Sequence, residues 1–150
     1  DSDLKGTGYV RGHLCPAGDR DSDKGLLKQT YLTSNLTPMT MVCNSGPWKA
    51  VEDSCRRLAL YHGKLLCAAG IIPEYCDTIS PGEKKIFVPG RFWKMAKCLN
   101  HPDETWIWIV QNSPSWSAPV RISRKELEHI LPTAVRNTGV LDNLFSLGLN

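Results

Sequence analysis

Three short stretches hold the residues whose types could do chemistry together. The first is Tyr9-Val10-Arg11-Gly12-His13-Leu14-Cys15-Pro16-Ala17, where an arginine, a glycine and a histidine stand in consecutive positions between apolar residues. The second contains Asn35, and the third runs from Asn44 to Glu52. Histidine suits a general base because its free pKa of about 6.5 lies close to working pH. Magnesium prefers oxygen ligands and keeps most of its waters, so one amide oxygen, that of Asn44, is enough to anchor it. Glu52 would then hold a metal-bound water, and Arg11 would clamp a phosphate oxygen. Hydrolysis of a phosphodiester needs these parts: an attacking water, a base for its proton, and positive charge for the phosphorane and the leaving oxygen. Taken singly, each residue has a plainer reading: a packed histidine, a helix cap at Asn44, a surface charge at Arg11.

The elements must put these side chains in one place. Asp1 to Gly8 is polar and reads as an entry loop, and Tyr9 to Leu14 reads as a short strand that Pro16 and Gly18 end. Asp19-Arg20-Asp21-Ser22-Asp23 is an acidic metal site or a solvated turn, and turn chemistry favours the second. Gln29 to Leu36 suits a second strand or an extended segment, closed by Pro38. Asn35-Leu36-Thr37 has the form of a glycosylation site, but its apolar flanks predict that Asn35 is used internally. A helix follows, with Ser45 or Gly46 as cap, Pro47 in the first turn, an end near His62 and Gly63 as its stop. Trp48, Val51, Cys55, Leu58 and Ala59 share one face of it, with Glu52 near that face.

Sheet follows the helix. Lys64 to Ile72, Lys85 to Val88, Phe92 to Leu99 and Thr105 to Val110 are strand candidates, the last apolar enough to be central. Trp106 and Trp108 could stack on bases, but core packing is the expected role. Asn112 to Pro119 is a loop, and Ser123-Arg124-Lys125-Glu126 is a capping box opening a helix through Leu131. Gly139 to Leu149 is a short apolar tail expected to dock on the domain. Strands on both sides of one long helix, without βαβ alternation, predict an α+β class.

The 150 residues suit one domain spanning 1–150, able to bury roughly two-thirds of the unfolded chain's surface. A net charge of +3 argues only weakly for an anionic partner, so local clustering must carry that argument. No apolar run is long enough for a membrane span, and no signal peptide is evident. The start at Asp1 predicts a processed chain or missing upstream sequence. Cys15, Cys43, Cys55, Cys67, Cys76 and Cys98 include no C-x-x-C pair, which disfavours a zinc site. Their even number predicts some disulfides and an extracytoplasmic location, secreted or periplasmic, with an organelle as the other setting and buried free thiols as the alternative.

At these residues the chain resembles the DNA/RNA non-specific endonucleases, the family of the Serratia-type nuclease and endonuclease G. Arg11 to Ala17 looks like the family's Asp-Arg-Gly-His signature with its Pro-Ala continuation. Tyr31 to Pro38 resembles its Tyr-Leu-Ser-Asn-x-x-Pro segment with one extra residue. Asn44, Trp48 and Glu52 fit its Asn-x-x-x-Trp-x-x-x-Glu pattern. Val88-Pro89 with Phe92-Trp93-Lys94 is similar to the strand after the finger, and Arg121 to Leu147 to the closing helix and tail.

The resemblance implies a beta-beta-alpha metal finger over about residues 8–62, packed on a mainly antiparallel sheet. It implies His13 as general base, Asn44 as the direct protein ligand of a hydrated Mg²⁺ (Mn²⁺ substituting), and Glu52 on metal-bound waters. Asn35 would support the site, and Arg11 would bind and stabilise the phosphate. DNA and RNA would be the partners, cut without sequence preference. Two departures stand out: Val10 replaces the signature aspartate, and the family's upstream sheet strands and a further site arginine are absent. Either these sit on a separate upstream segment or the chain is a shortened variant, and a homodimer or that segment is the further partner expected. A catalytically weakened relative that binds nucleic acid or protein is the second reading, and a disulfide-stapled extracellular binding module the third.

Overall fold

The computed structural model describes residues 4–74, 77–80, 85–101 and 103–147. Asp1 to Asp3, Cys76, and the end of the tail from Gly148 lie outside the described residues. The elements in chain order are strand β1 (Tyr9–His13), helix α1 (Lys24–Gln29), strand β2 (Leu36–Thr40), short helix α2 (Met41–Cys43) and helix α3 (Lys49–His62). Then come strands β3 (Leu65–Ile72), β4 (Asp77–Ile79), β5 (Ile86–Val88), β6 (Arg91–Cys98), β7 (Thr105–Gln111) and β8 (Val120–Ile122). Helices α4 (Arg124–Ile130), α5 (Thr133–Arg136) and α6 (Val140–Ser146) close the chain. The class is α+β, as the order of strands and helices predicts.

β3, β6, β7 and β8 form an antiparallel sheet in that order, and β1 pairs antiparallel with β2. The four-stranded sheet is covered on both faces. On one, Phe92, Ala96, Trp108 and Val110 meet Met39, Cys43, Trp48, Val51 and Cys55 from β2 and the helix. On the other, Trp93, Met95, Ile107 and Ile109 meet Leu127, Leu131 and Leu141 of the C-terminal helices. Two covered faces explain why β7 reads as an apolar run without alternation. Trp108 is accordingly core, and Trp106 packs partly buried at its edge.

Two predicted boundaries shift. The second finger strand is Leu36–Thr40, not Gln29 to Leu36, where the chain instead finishes α1 and makes a 3-10 turn at Thr33–Asn35. Pro38 therefore lies inside the strand, opposite Arg11, where β2 has only one partner strand and tolerates a missing donor. The helix also begins earlier than its proline suggests. Thr40 caps it, its hydroxyl accepting from the Cys43 N–H at 3.0 Å. Asn44–Trp48 then forms a wide π turn that contains Pro47 and leads directly into α3. A π turn accommodates a residue without an N–H, so proline sits in mid-helix rather than at its start. The predicted stop is correct: Gly63 ends α3 at φ 82°. So is the capping box, with Ser123 and Glu126 bonded reciprocally.

Gly12 is fixed by close approach. A Cβ there would lie 2.2 Å from Met39 Sδ, and Met39 is fully buried. Gly12→Ala is therefore expected to destabilise the fold by about 1–3 kcal/mol in urea unfolding, as overpacking does. Gly18→Ala, whose Cβ would meet nothing closer than 3.9 Å, is the control. Equal midpoints for the two variants would remove the steric argument.

Candidate active site

The end of β1 is held by three side chains on three successive residues. The Trp48 indole N–H donates to the His13 carbonyl at 2.9 Å, and Lys94 Nζ donates to the Leu14 carbonyl at 2.9 Å. Asn35 takes both backbone groups of Cys15, accepting from its N–H at 2.8 Å and donating to its carbonyl at 2.9 Å. The helix, β6 and the turn before β2 thus converge on this backbone. Asn35 is used internally, as expected, and acts on the position of the His13 loop.

His13, Asn44 and Glu52 line one cavity of about 350 Å³, with Pro16, Ala17, Ser45, Lys49 and Arg56. Here β1 alternates, so His13 projects opposite Gly12, and its ring stands edge-on to Tyr31 at 5.3 Å. His13 Nε2 is buried and has no hydrogen-bond partner. Burial also lowers the His13 pKa from its ordinary 6.5, which keeps the ring neutral and its lone pair free at neutral pH. Glu52 is pushed up from its ordinary 4.5 by burial, against the opposing pull of Lys94 and Arg56. Lys94 is almost fully buried, 3.9 Å from Glu52 and stacked over Trp48 at 4.7 Å. Arg56 is aimed by Asp19 at 2.8 Å and Asp53 at 2.9 Å. Asn44 is not the helix cap, since Thr40 takes that role.

Arg11 is exposed and lines a neighbouring cavity with Val10 and Met41, not the one that holds His13. The cations of the His13 cavity are Lys49 and Arg56, neither singled out from the sequence. Their signal was present: Lys49, Glu52 and Arg56 recur at helical spacing on one face of α3. Lys94 gave no such signal, because only the sheet register brings β6 under the finger.

The five described cysteines, Cys15, Cys43, Cys55, Cys67 and Cys98, are free thiols, so the expected disulfides are not found among the described residues. Cys15, Cys55 and Cys67 share a cavity of about 570 Å³ with Lys94 and Asn35. A hydrogen bond from Cys55 brings exposed Cys67 down to about 7, helped by Lys94 and opposed by burial. Iodoacetamide is expected to label Cys67 first, with a rate midpoint near pH 7 that rises in Cys55→Ala. A midpoint at the free-thiol value of about 8.5 would contradict the pairing.

A strand pair and helix that bring a histidine, an asparagine and a glutamate to one cavity, laid on an antiparallel sheet, define a beta-beta-alpha metal finger. The chain matches the DNA/RNA non-specific endonuclease family over residues 1–135 and belongs to it. It is 33% identical over 97 residues to Nuclease from Nostoc sp., covering 65% of this chain and 34% of that protein. It is 36% identical over 126 residues to mitochondrial Nuclease EXOG of Xenopus laevis, covering 75% of this chain and 35% of that one. The fold is similar to a chain in the crystal structure of the EndoG/EndoGI complex, with a TM-score of 0.69 and 20% identity over 86% of this chain and 59% of that one. The chain spans about a third of the length of these curated relatives. No helix among the described residues is long and apolar enough to cross a membrane.

Proposed function

We propose that the chain carries the active site of a Mg²⁺-dependent, sugar-non-specific endonuclease that hydrolyses phosphodiester bonds of DNA and RNA. The observation that carries this is the shared cavity of His13, Asn44 and Glu52, with His13 Nε2 buried, neutral and unpartnered. The donor set fits a hydrated hard cation, since Asn44 and Glu52 offer only oxygen ligands. The cavity of about 350 Å³ also exceeds the volume of six waters, roughly 180 Å³ in all.

Asn44 would hold the ion through its amide oxygen and Glu52 through the ion's waters, with Mn²⁺ able to substitute. Bound there, the ion supplies positive charge for the phosphorane and the leaving 3′-oxygen. His13 accepts a proton from the attacking water at Nε2, and the Trp48 and Lys94 contacts keep its strand end in place. Lys49 and Arg56 draw the phosphate backbone in by charge, which reads no sequence. Arg11, on the same face of β1 as His13, would bind and stabilise a phosphate. The products would carry 5′-phosphates.

The second reading, a weakened relative acting as a binding module, rests on Val10. That residue projects from the opposite face of β1 to His13 and lines the neighbouring cavity. An acid there would not face His13 across the active cavity, so its loss leaves the base in place. The site is therefore proposed to be competent. A homodimer or an upstream segment remains the proposed partner beyond nucleic acid. Relatives in mouse, human and fission yeast bear names that place them in mitochondria. With free thiols at the described cysteines, an organelle is the proposed setting in preference to a secreted one.

The test is cleavage of matched single- and double-stranded DNA and RNA oligonucleotides with Mg²⁺ and with EDTA. All four are expected to be cut to 5′-phosphate products with Mg²⁺ alone. DNA or RNA bound but left intact under both conditions would favour the binding module. The pH profile follows from the two shifts. Cleavage needs His13 unprotonated and Glu52 ionised, so activity falls as pH drops through their values. Its acid limb is expected above 4.5, the ordinary value from which burial raises Glu52, and His13, lowered from 6.5, adds no limb above that value. A limb centred below 4.5 would show that cleavage does not need Glu52 ionised.

A further inference from the structure

At the end of α3 remote from Asn44, three metal-ligating side chains converge from three elements. His62 ends α3, Cys98 ends β6 and Glu104 immediately precedes β7. One ligand atom from each lies within 4.8 Å of the other two. His62 Nδ1 is 2.8 Å from a Glu104 carboxylate oxygen. Cys98 is fully buried, and its sulfur has only a long 3.9 Å contact to the His62 carbonyl oxygen.

The surrounding backbone is built to hold this convergence. The Cys98 N–H donates to the Glu104 carbonyl at 3.0 Å, and the Leu99 N–H donates to the Lys64 carbonyl at 3.0 Å. Asn100 Nδ2 donates to the His62 carbonyl at 3.3 Å, and the His62 ring packs on Trp106 at 5.1 Å. The 2.8 Å His62–Glu104 contact engages two of the three groups. It leaves a buried sulfur facing the same point with only its long contact to the His62 carbonyl.

We propose that His62, Cys98 and Glu104 form a zinc-binding site, separate from the His13 cavity. One nitrogen, one sulfur and one oxygen donor suit zinc and not magnesium. Donors about 2.0–2.3 Å from a tetrahedral zinc stand roughly 3.3–3.8 Å apart, so the His62–Glu104 pair, now at 2.8 Å, would open slightly to admit the ion while the Cys98 sulfur stays within reach of both. Binding expels the Cys98 thiol proton to solvent, and the thiolate and carboxylate then balance the ion's two charges. Water takes the fourth position. The site lies at the C-terminus of a 14-residue helix, where the backbone dipole favours a cation. The bound ion would staple α3 to the β6–β7 turn.

The experiment is calorimetric titration of the chelator-stripped protein with Zn²⁺, without nucleic acid, alongside Co²⁺ absorption. One Zn²⁺ per chain is expected to bind with a Kd of about 1 µM or tighter. His62→Ala and Glu104→Gln are expected to weaken it at least about tenfold, on the scale of losing a ligand contact. Glu104→Gln changes a half-exposed side chain, so its loss of binding is not loss of fold. Co²⁺ should give a thiolate charge-transfer band that Cys98→Ser removes, while Asn44→Ala leaves binding unchanged. Absence of stoichiometric Zn²⁺ binding, wild-type affinity in both ligand variants, or a cobalt spectrum without the thiolate band would overturn the proposal. Because no cleavage is measured, the result stands whether or not the nuclease reading does.

Discussion

His13→Ala is expected to lower the rate of Mg²⁺-dependent cleavage by about 10²–10⁴, the range for removing a positioned general base. The side chain is the one lone-pair donor in the cavity that burial keeps neutral. Its ring stands edge-on to Tyr31 and its Nε2 makes no hydrogen bond that alanine would remove, so folding should survive the change. The backbone clamps act on the His13 and Leu14 carbonyls and the Cys15 amide, which alanine retains. Circular dichroism and urea unfolding should therefore match wild type, and the loss should appear in kcat more than in KM. A change below tenfold would mean that another group takes the proton.

Asn44→Ala is the second large effect. It removes the one neutral oxygen donor proposed to hold the ion, so cleavage should fall at least about 100-fold, beyond the 10–100-fold typical of outer-sphere partners. Part of the activity should return as Mg²⁺ is raised, because the lost contact is to the ion and not to the phosphate. His13→Ala should show no such return. This contrast separates a ligand from a base more clearly than either rate alone. Loss of stability in Asn44→Ala would argue instead for a structural asparagine, although Thr40 already caps the helix.

The proximity of the proposed site residues was legible in the sequence because they lie close together in the chain, and the structure brings His13, Asn44 and Glu52 to one cavity. His13 stood out as a histidine beside Arg11 in a short strand, and Asn44 and Glu52 through the family resemblance in their spacing around Trp48. The strand of β7 and the Ser123 capping box follow from local patterns that no tertiary contact overrides. The misplaced pieces share another cause. Pro38 and Pro47 were read as boundaries, yet β2 runs through one on its unpaired side and a π turn absorbs the other. Lys94 fell within a recognised strand, but its place at the site could not be read. Its role depends on the register that brings β6 beneath the finger, a contact between residues 80 apart in sequence. Arg11 shows the reach of adjacency: alternation puts it on the same face of β1 as His13, yet it lines a different cavity. The cysteine count pointed to disulfides, whereas the described thiols serve as small buried groups or line a cavity.

Conversion of supercoiled plasmid to nicked and linear forms, by wild type and His13→Ala side by side, tests the central claim most directly. The expected result is nicking by the wild type in Mg²⁺, abolished by EDTA, restored by excess Mg²⁺, and reduced at least about 100-fold in His13→Ala. Absence of Mg²⁺-dependent nicking by folded wild-type protein, or equal nicking by the two proteins, would contradict it.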